Sequence, residues 1–121
     1  MVLSAVVAAE SLAATDLTKQ SNEAHALYSQ GHYAAAEQAY MHLSKAADPN
    51  SELYLQSQYY LAACKFQLNA PDAMQALTAC VNNYGYAPMA HHAHFMLAQL
   101  YVDKKRYKQA LQHLSQCDIK N

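Results

Sequence analysis

Residues 93–114 read AHFMLAQLYVDKKRYKQALQHL. Small and bulky apolar residues recur at every third or fourth position before Asp103 and again after Tyr107, which is the spacing of one face of an α-helix. The run Lys104-Lys105-Arg106 lies between the two stretches and has the charged character of an exposed turn. The segment therefore predicts two amphipathic helices joined by a short turn.

The same pattern occurs three times along the chain, at an interval of 37 residues. Each occurrence has a small residue, a bulky apolar residue four positions later and a medium-sized apolar residue three positions after that, so that all three share a helix face. Alanines also recur in the helix that precedes each of these faces. The sets are Ala36, Ala73 and Ala110; Tyr40, Leu77 and Leu114; Leu43, Cys80 and Cys117; and, upstream, Ala24, Ala62 and Ala98.

The repeat sets the predicted organisation of the chain. We expect one helical domain, residues 18–121, preceded by a separate N-terminal element, residues 1–17. Within the domain, three helix-turn-helix units are predicted at 18–47, 53–83 and 89–117. The breaks inside the units are expected at 30–33, 68–71 and 104–107.

The N-terminal element has two interpretations. Residues 2–9 are apolar, and Leu3, Val6, Val7, Leu12 and Leu17 can share one face of an amphipathic helix, which we favour. We expect that helix to end, or the next to be capped, at Asp16 or Thr18. The alternative is the remnant of a targeting segment, with Ser11-Leu12-Ala13 as a cleavage-like site.

Composition supports a helical protein and excludes several functions. The chain is 53% apolar and has only 2 glycines among 121 residues, which disfavours hairpins and phosphate-binding loops. A net charge of -1 gives no basic face for nucleic acid. No paired acid and base is evident, so we expect no enzymatic activity. The three cysteines are expected to be buried free thiols.

The third unit resembles a tetratricopeptide repeat. Leu97-Ala98 stands at the Leu-Gly pair of that family, Tyr101 at the tyrosine of the first helix, Tyr107 at the aromatic residue of the turn and Ala110 at the close-packing alanine. The first unit matches through Gly31, Tyr33, Ala36 and Tyr40, and the second through Leu61-Ala62, Ala73 and Leu77. Residues 84–101 are also similar to repeats of bacterial envelope proteins, with some likeness to the three-repeat chaperones of type III secretion. The chain departs from the family pattern in having no tryptophan and a repeat interval longer than about 34 residues.

This resemblance implies an all-α fold, a right-handed superhelical solenoid of three repeats plus an N-terminal helix. It also implies a concave groove formed by the first helix of each pair. An aromatic, uncharged lining fits a protein or peptide partner with apolar anchors, so we expect a non-catalytic adaptor or chaperone-like scaffold without a cofactor. Tyr59 and Phe95 are expected to be exposed there. The implied groove residues are Asn22, His25, Tyr28, Tyr59, Phe66, His92, Phe95 and Gln99.

Two other functions stay open. The repeats could drive self-association, because the third unit is followed by no polar capping helix in this sequence. Alternatively, His91 and His94, one helical turn apart, could contribute to a metal site. Two ligands on one helix do not close such a site, and surface histidines are the preferred interpretation.

Compartment signals in the sequence conflict. Three unpaired cysteines favour a reducing cytoplasm, whereas the apolar N-terminus and the envelope-like third unit favour the bacterial periplasm or envelope. No membrane span is expected, because the apolar run at residues 2–9 is far shorter than the roughly 20 residues that a spanning helix needs.

Overall fold

The computed structural model describes residues 2–117, with side chains from residue 16 onward, and its regular secondary structure over that range is α-helix. No strand interrupts residues 2–117, in agreement with the all-α prediction. The helices are α1 (Val2–Ser29), α2 (Tyr33–Ala46), α3 (Glu52–Gln67), α4 (Ala73–Asn83), α5 (Ala90–Asp103) and α6 (Tyr107–Leu114).

Each helix packs against the next one in the chain, and α3 also contacts α5. The breaks at 30–32, 68–72 and 104–106 join the members of three pairs, and they fall where the sequence predicted them. Such short connections make the paired helices antiparallel neighbours. Longer segments at 47–51 and 84–89 separate one pair from the next.

Helix α1 corrects one prediction. It continues through Asp16 and Thr18 without a break, so neither residue ends or caps an element. The Asp16 carboxylate accepts a hydrogen bond, 2.7 Å long, from the Nε2 atom of Gln20, which lies one turn later in the same helix. The face predicted for Leu3, Val6, Val7 and Leu12 lies outside the described side chains. Between residues 2 and 117, no helix is long and apolar enough to cross a membrane.

The predicted small residues mark the places where helices meet. A methyl side chain lets two helix axes approach closely, because the interaxial distance depends on the side chains at the contact. All six repeat alanines are at most 2% exposed. They are Ala24, Ala62 and Ala98 in the first helices of the pairs and Ala36, Ala73 and Ala110 in the second helices.

The three pairs also share one turn geometry. Gly31, Asn69 and Lys105 each adopt a left-handed backbone, with φ of 83°, 56° and 60°. The amide that follows each of them bonds to the carbonyl five residues back, which is the Schellman arrangement that satisfies the last carbonyls of a helix. These bonds run from His32 to Leu27 (2.9 Å), from Ala70 to Lys65 (2.9 Å) and from Arg106 to Tyr101 (2.8 Å).

An ion pair connects three elements near the second turn. The Nζ atom of Lys65, on α3, lies 3.0 Å from a carboxylate oxygen of Asp72 and 3.6 Å from one of Glu37, on α2. Its hydrogen bond with Asp72 and the nearby negative charges raise the pKa of Lys65, and the same contact lowers the pKa of Asp72. Because these groups are partly exposed, we expect the ion pair to contribute little to the free energy of unfolding.

Lys105 provides a test of the turn geometry. A left-handed conformation costs a residue with a Cβ roughly 1–2 kcal/mol, which glycine avoids. We expect Lys105→Gly to raise the free energy of unfolding by about 0.5–1 kcal/mol in urea titrations. Lys104→Gly is the matched control, and it should lower that free energy because φ at Lys104 is -89°. Equal destabilisation by both substitutions would contradict the left-handed turn at Lys105.

Candidate functional site

A hollow of about 550 Å³ opens between α1, α3 and the start of α5. We call it the α1–α3 hollow. Its lining is aromatic or neutral polar and contains no Asp, Glu, Lys or Arg. Five of the eight predicted groove residues line it: Asn22, His25, Tyr28, Tyr59 and His92. The other lining residues are Ser21, Tyr40, Leu53, Gln56, Tyr60 and Met89.

Tyr60 lies at the centre of the aromatic residues in this hollow. Its ring stacks on Tyr40 of α2, with centroids 5.0 Å apart and planes at 11°. On α1 it meets Tyr28 at 5.2 Å and His25 at 5.5 Å, both edge to face. Neighbouring Tyr59 lies at 5.0 Å, also edge to face. Tyr60 therefore joins three helices while forming part of the hollow's lining.

Tyr59 does not have the exposure that the sequence suggested. It is only 9% exposed and belongs to the core cluster that includes Leu77 and Met96. Of the two adjacent tyrosines, Tyr60 is the more accessible. Neighbouring apolar residues on a helix point in different directions, and packing against α4 and α5 decides which one is covered. Tyr59 thus lines the hollow as a buried side chain.

The tyrosines of the hollow stay neutral at physiological pH. Burial raises the pKa of Tyr59 and of Tyr40 well above the ordinary value, and the neighbouring phenols add to both shifts. Burial also raises the pKa of Tyr28, and a hydrogen bond with Gln67 acts in the opposite direction. The hollow therefore presents uncharged hydrogen-bonding groups between aromatic faces.

The remaining predicted groove residues lie in a second place. Phe66, Phe95 and Gln99 line a hollow of about 470 Å³ beside the exposed side of α5, which we call the α3–α5 hollow. Phe95 is 50% exposed there, as expected from the sequence. The predicted single groove is thus divided between two hollows. The other residues of the second hollow are Gln67, Asn69, Ala98, Leu100, Val102, Asp103 and Leu114.

A histidine pair joins α5 to α6. The Nδ1 atoms of His94 and His113 lie 2.9 Å apart, so one ring donates a hydrogen bond to the other. The ring of Tyr101 stacks on His113 at a centroid distance of 5.4 Å. Burial, with a contribution from His113 and then His91, lowers the pKa of His94, and burial lowers that of His113. The sequence pattern does not mark His113, because its partner His94 is 19 residues away along the chain.

The histidines are engaged with protein groups. The Nδ1 atom of His91 lies 3.1 Å from the carbonyl oxygen of Gln116, whereas that of His94 is directed at His113. The Nδ1 atoms of His91 and His94 therefore have different partners. Across the described residues, no cluster of three or more His, Cys, Asp or Glu side chains could hold a metal ion.

The three cysteines carry free thiols, two of which are buried as predicted. Burial raises the pKa of Cys64 and of Cys80 to about 11, so both are protonated at neutral pH. Cys117 differs from the prediction because it is partly exposed. It follows α6, and within residues 2–117 no later helix covers it; its Sγ donates to the carbonyl of His91 at 3.4 Å.

No family model, no curated protein and no solved structure matches this chain. The α1–α3 and α3–α5 hollows together contain all eight predicted groove residues and are the candidate sites. The α1–α3 hollow is the larger of the two and draws on all three helix pairs, and its volume lies in the range typical of ligand sites.

The histidine pair predicts a pH dependence of stability. The folded state resists protonation of His94 and His113, so the unfolded chain binds more protons as the pH falls through the ordinary histidine value of 6.5. Stability should be complete above that value and decline below it. In thermal melts from pH 8 to pH 5, the melting temperature of the double variant His94→Gln, His113→Gln should fall less than that of the parent protein. His42→Gln, on exposed α2 surface, is the control, and an unchanged slope in the double variant would contradict the prediction.

Proposed function

We propose that the chain is a tetratricopeptide-like adaptor of three repeats that binds a partner polypeptide in the α1–α3 hollow. The observation that supports this most strongly is the origin of the lining. The first helix of every pair contributes to the hollow, with Asn22 and His25 from α1, Gln56 from α3 and His92 from α5. A groove along the first helices is the expected binding face of such a stack.

Repeat behaviour is supported by features that recur in each pair. The six alanines are buried and the three left-handed turns coincide in geometry. A right-handed solenoid built from these pairs accounts for both features, because each pair would need the same close contacts and the same reversal of direction. We therefore include the solenoid in the proposal.

The chemistry of the hollow fits a peptide with apolar anchors. Tyr28 and Tyr60 offer aromatic surface with a polar hydroxyl, which is the kind of side chain enriched in protein interfaces. Asn22 and Gln56 add amide groups that both donate and accept hydrogen bonds, as an exposed peptide backbone requires. With no Asp, Glu, Lys or Arg in the lining, the hollow favours uncharged segments over acidic or basic ones.

A binding role also agrees with the titratable groups of the hollow. Its lining contains His25 and His92 but no carboxylate and no thiol. General acid–base catalysis by these imidazoles would need a hydrogen-bonded partner group, whereas the described contact of the His25 ring is an edge-to-face contact with Tyr60. We therefore propose a non-catalytic function for this surface.

Selection from a random peptide library displayed on phage tests this function without knowledge of the natural partner. Peptides selected on the parent protein would be synthesised with a fluorophore and titrated by anisotropy. The double variant His25→Ala, His92→Ala should bind them at least about tenfold more weakly, which corresponds to ~1.4 kcal/mol. The matched double variant His32→Ala, His42→Ala removes two exposed histidines outside the lining and should retain affinity.

Two results would contradict the proposal. One is a selection that yields no peptide with saturable binding. The other is equal affinity of the two double variants for every selected peptide, which would assign binding to another surface. Circular dichroism of both variants should show the helical content of the parent protein, so that a loss of affinity reflects the hollow.

A further inference from the structure

The α3–α5 hollow lies along residues of α5 whose counterparts on α3 are packed in the core. The two helices are related by 36 residues in the repeat, so Tyr59 corresponds to Phe95 and Phe66 to Val102. On α3, Tyr59, Ala62 and Ala63 are buried in a core cluster, with Phe66 packed against it. Helix α5 contributes Ala93, Met96 and Leu97 to the same cluster, together with Leu77 and Cys80 of α4.

The corresponding face of α5 is open except at Ala98, the counterpart of Ala62, which is 2% exposed. Phe95 is 50% exposed and Val102 is 45% exposed. On the second helix of the pair, Leu114 is partly exposed, whereas its counterpart Leu77 is fully buried. The α3–α5 hollow therefore lies where another helix would pack if the arrangement of α3 and α5 were continued.

The chain contains a helical segment suited to that position. Residues 2–15 belong to α1, and ten of these fourteen residues are Ala, Val or Leu, with Glu10 as the one charged residue. Their number equals the 14 residues of α5. Leu3, Val6 and Val7 have the same i, i+3, i+4 spacing as Ala93, Met96 and Leu97, the residues that α5 contributes to the cluster with α3.

This segment also extends past the neighbouring helix. Helix α1 has 28 residues and α2 has 14, so at 1.5 Å per residue they are about 42 Å and 21 Å long. Because α2 turns back along α1 from the break at 30–32, it reaches only to about residue 16 of α1. The first half of α1 thus extends beyond the length that α2 can cover.

We propose that residues 2–15 of a second copy of this chain occupy the α3–α5 hollow. When two copies exchange these segments, the assembly closes as a dimer, in the manner of a domain swap. The contact would cover Phe95 and Val102 and complete the packing around Leu114. It uses a different face from the α1–α3 hollow, so it does not depend on the proposed peptide binding.

Light scattering coupled to size exclusion tests the exchange over a range of concentrations. The parent protein should form a dimer. Phe95→Glu, which places a charge in the hollow, and Val6→Glu, which places one in the segment, should each give a monomer. Val102→Glu repeats the hollow substitution at a second half-exposed position. Leu111→Glu is the matched control, since Leu111 is 66% exposed and lies outside the hollow, and it should remain dimeric.

A mixing experiment identifies the occupant. Phe95→Glu retains an intact segment and Val6→Glu an intact hollow, so their equimolar mixture should form a heterodimer through one of the two contacts. A monomeric parent protein, a dimeric Phe95→Glu variant or a mixture without heterodimer would overturn the proposal. A dimer insensitive to Val6→Glu would overturn it too, since another part of the second copy would then fill the hollow. Peptide binding in the α1–α3 hollow, measured on the Phe95→Glu variant whatever its oligomeric state, distinguishes failure of this proposal from failure of the proposed function.

Discussion

The contacts of the Tyr60 ring hold the first helix pair against the second. One side chain on α3 touches aromatic rings on α1 and on α2 and stacks on Tyr40 within 5.0 Å. Aromatic pairs of this kind contribute about 0.5–1.5 kcal/mol each beyond the area they bury. Because the same ring lines the α1–α3 hollow, the packing of the first helix pair on the second also sets the shape of the candidate site.

Two features recur in the rest of the described chain. Buried alanines such as Ala62 and Ala98 allow close helix contacts, and left-handed residues such as Asn69 reverse the chain. The first pair contacts the second through α2 and α3, and the second contacts the third through α3, α4 and α5. No described helix follows the third pair, and the face of α5 that carries Phe95 is open. In the same way, Leu114 of the third pair is partly exposed, whereas its counterpart Leu77 in the second pair is fully buried.

Much of this architecture could be predicted from the sequence, because it depends on local periodicity. The interval between the alanines predicted which helix faces pack together, and the residues around Gly31 and Lys105 predicted where the turns lie. The continuity of α1 could not be predicted in this way. Asp16 is a good capping residue, but its carboxylate is equally satisfied by Gln20 one turn later in a continuing helix.

The candidate site was harder to predict than the fold. Tyr59 and Tyr60 are adjacent and chemically identical, so only the packing of α4 and α5 shows which of them is buried. The partition of the predicted groove into two hollows depends on the relative placement of helices, which periodicity does not contain. The pairing of His94 with His113 likewise requires the register of α5 against α6.

The most direct test of this account is a nuclear Overhauser spectrum of the protein with selectively labelled aromatic rings. We expect cross-peaks from the Tyr60 ring to the rings of His25, Tyr28 and Tyr40, since their centroids lie 5.0–5.5 Å from that of Tyr60. A Tyr60 ring that shows contacts within α3 but none to α1 or α2 would contradict the packing of the first pair on the second. The α1–α3 hollow would then lose its structural basis.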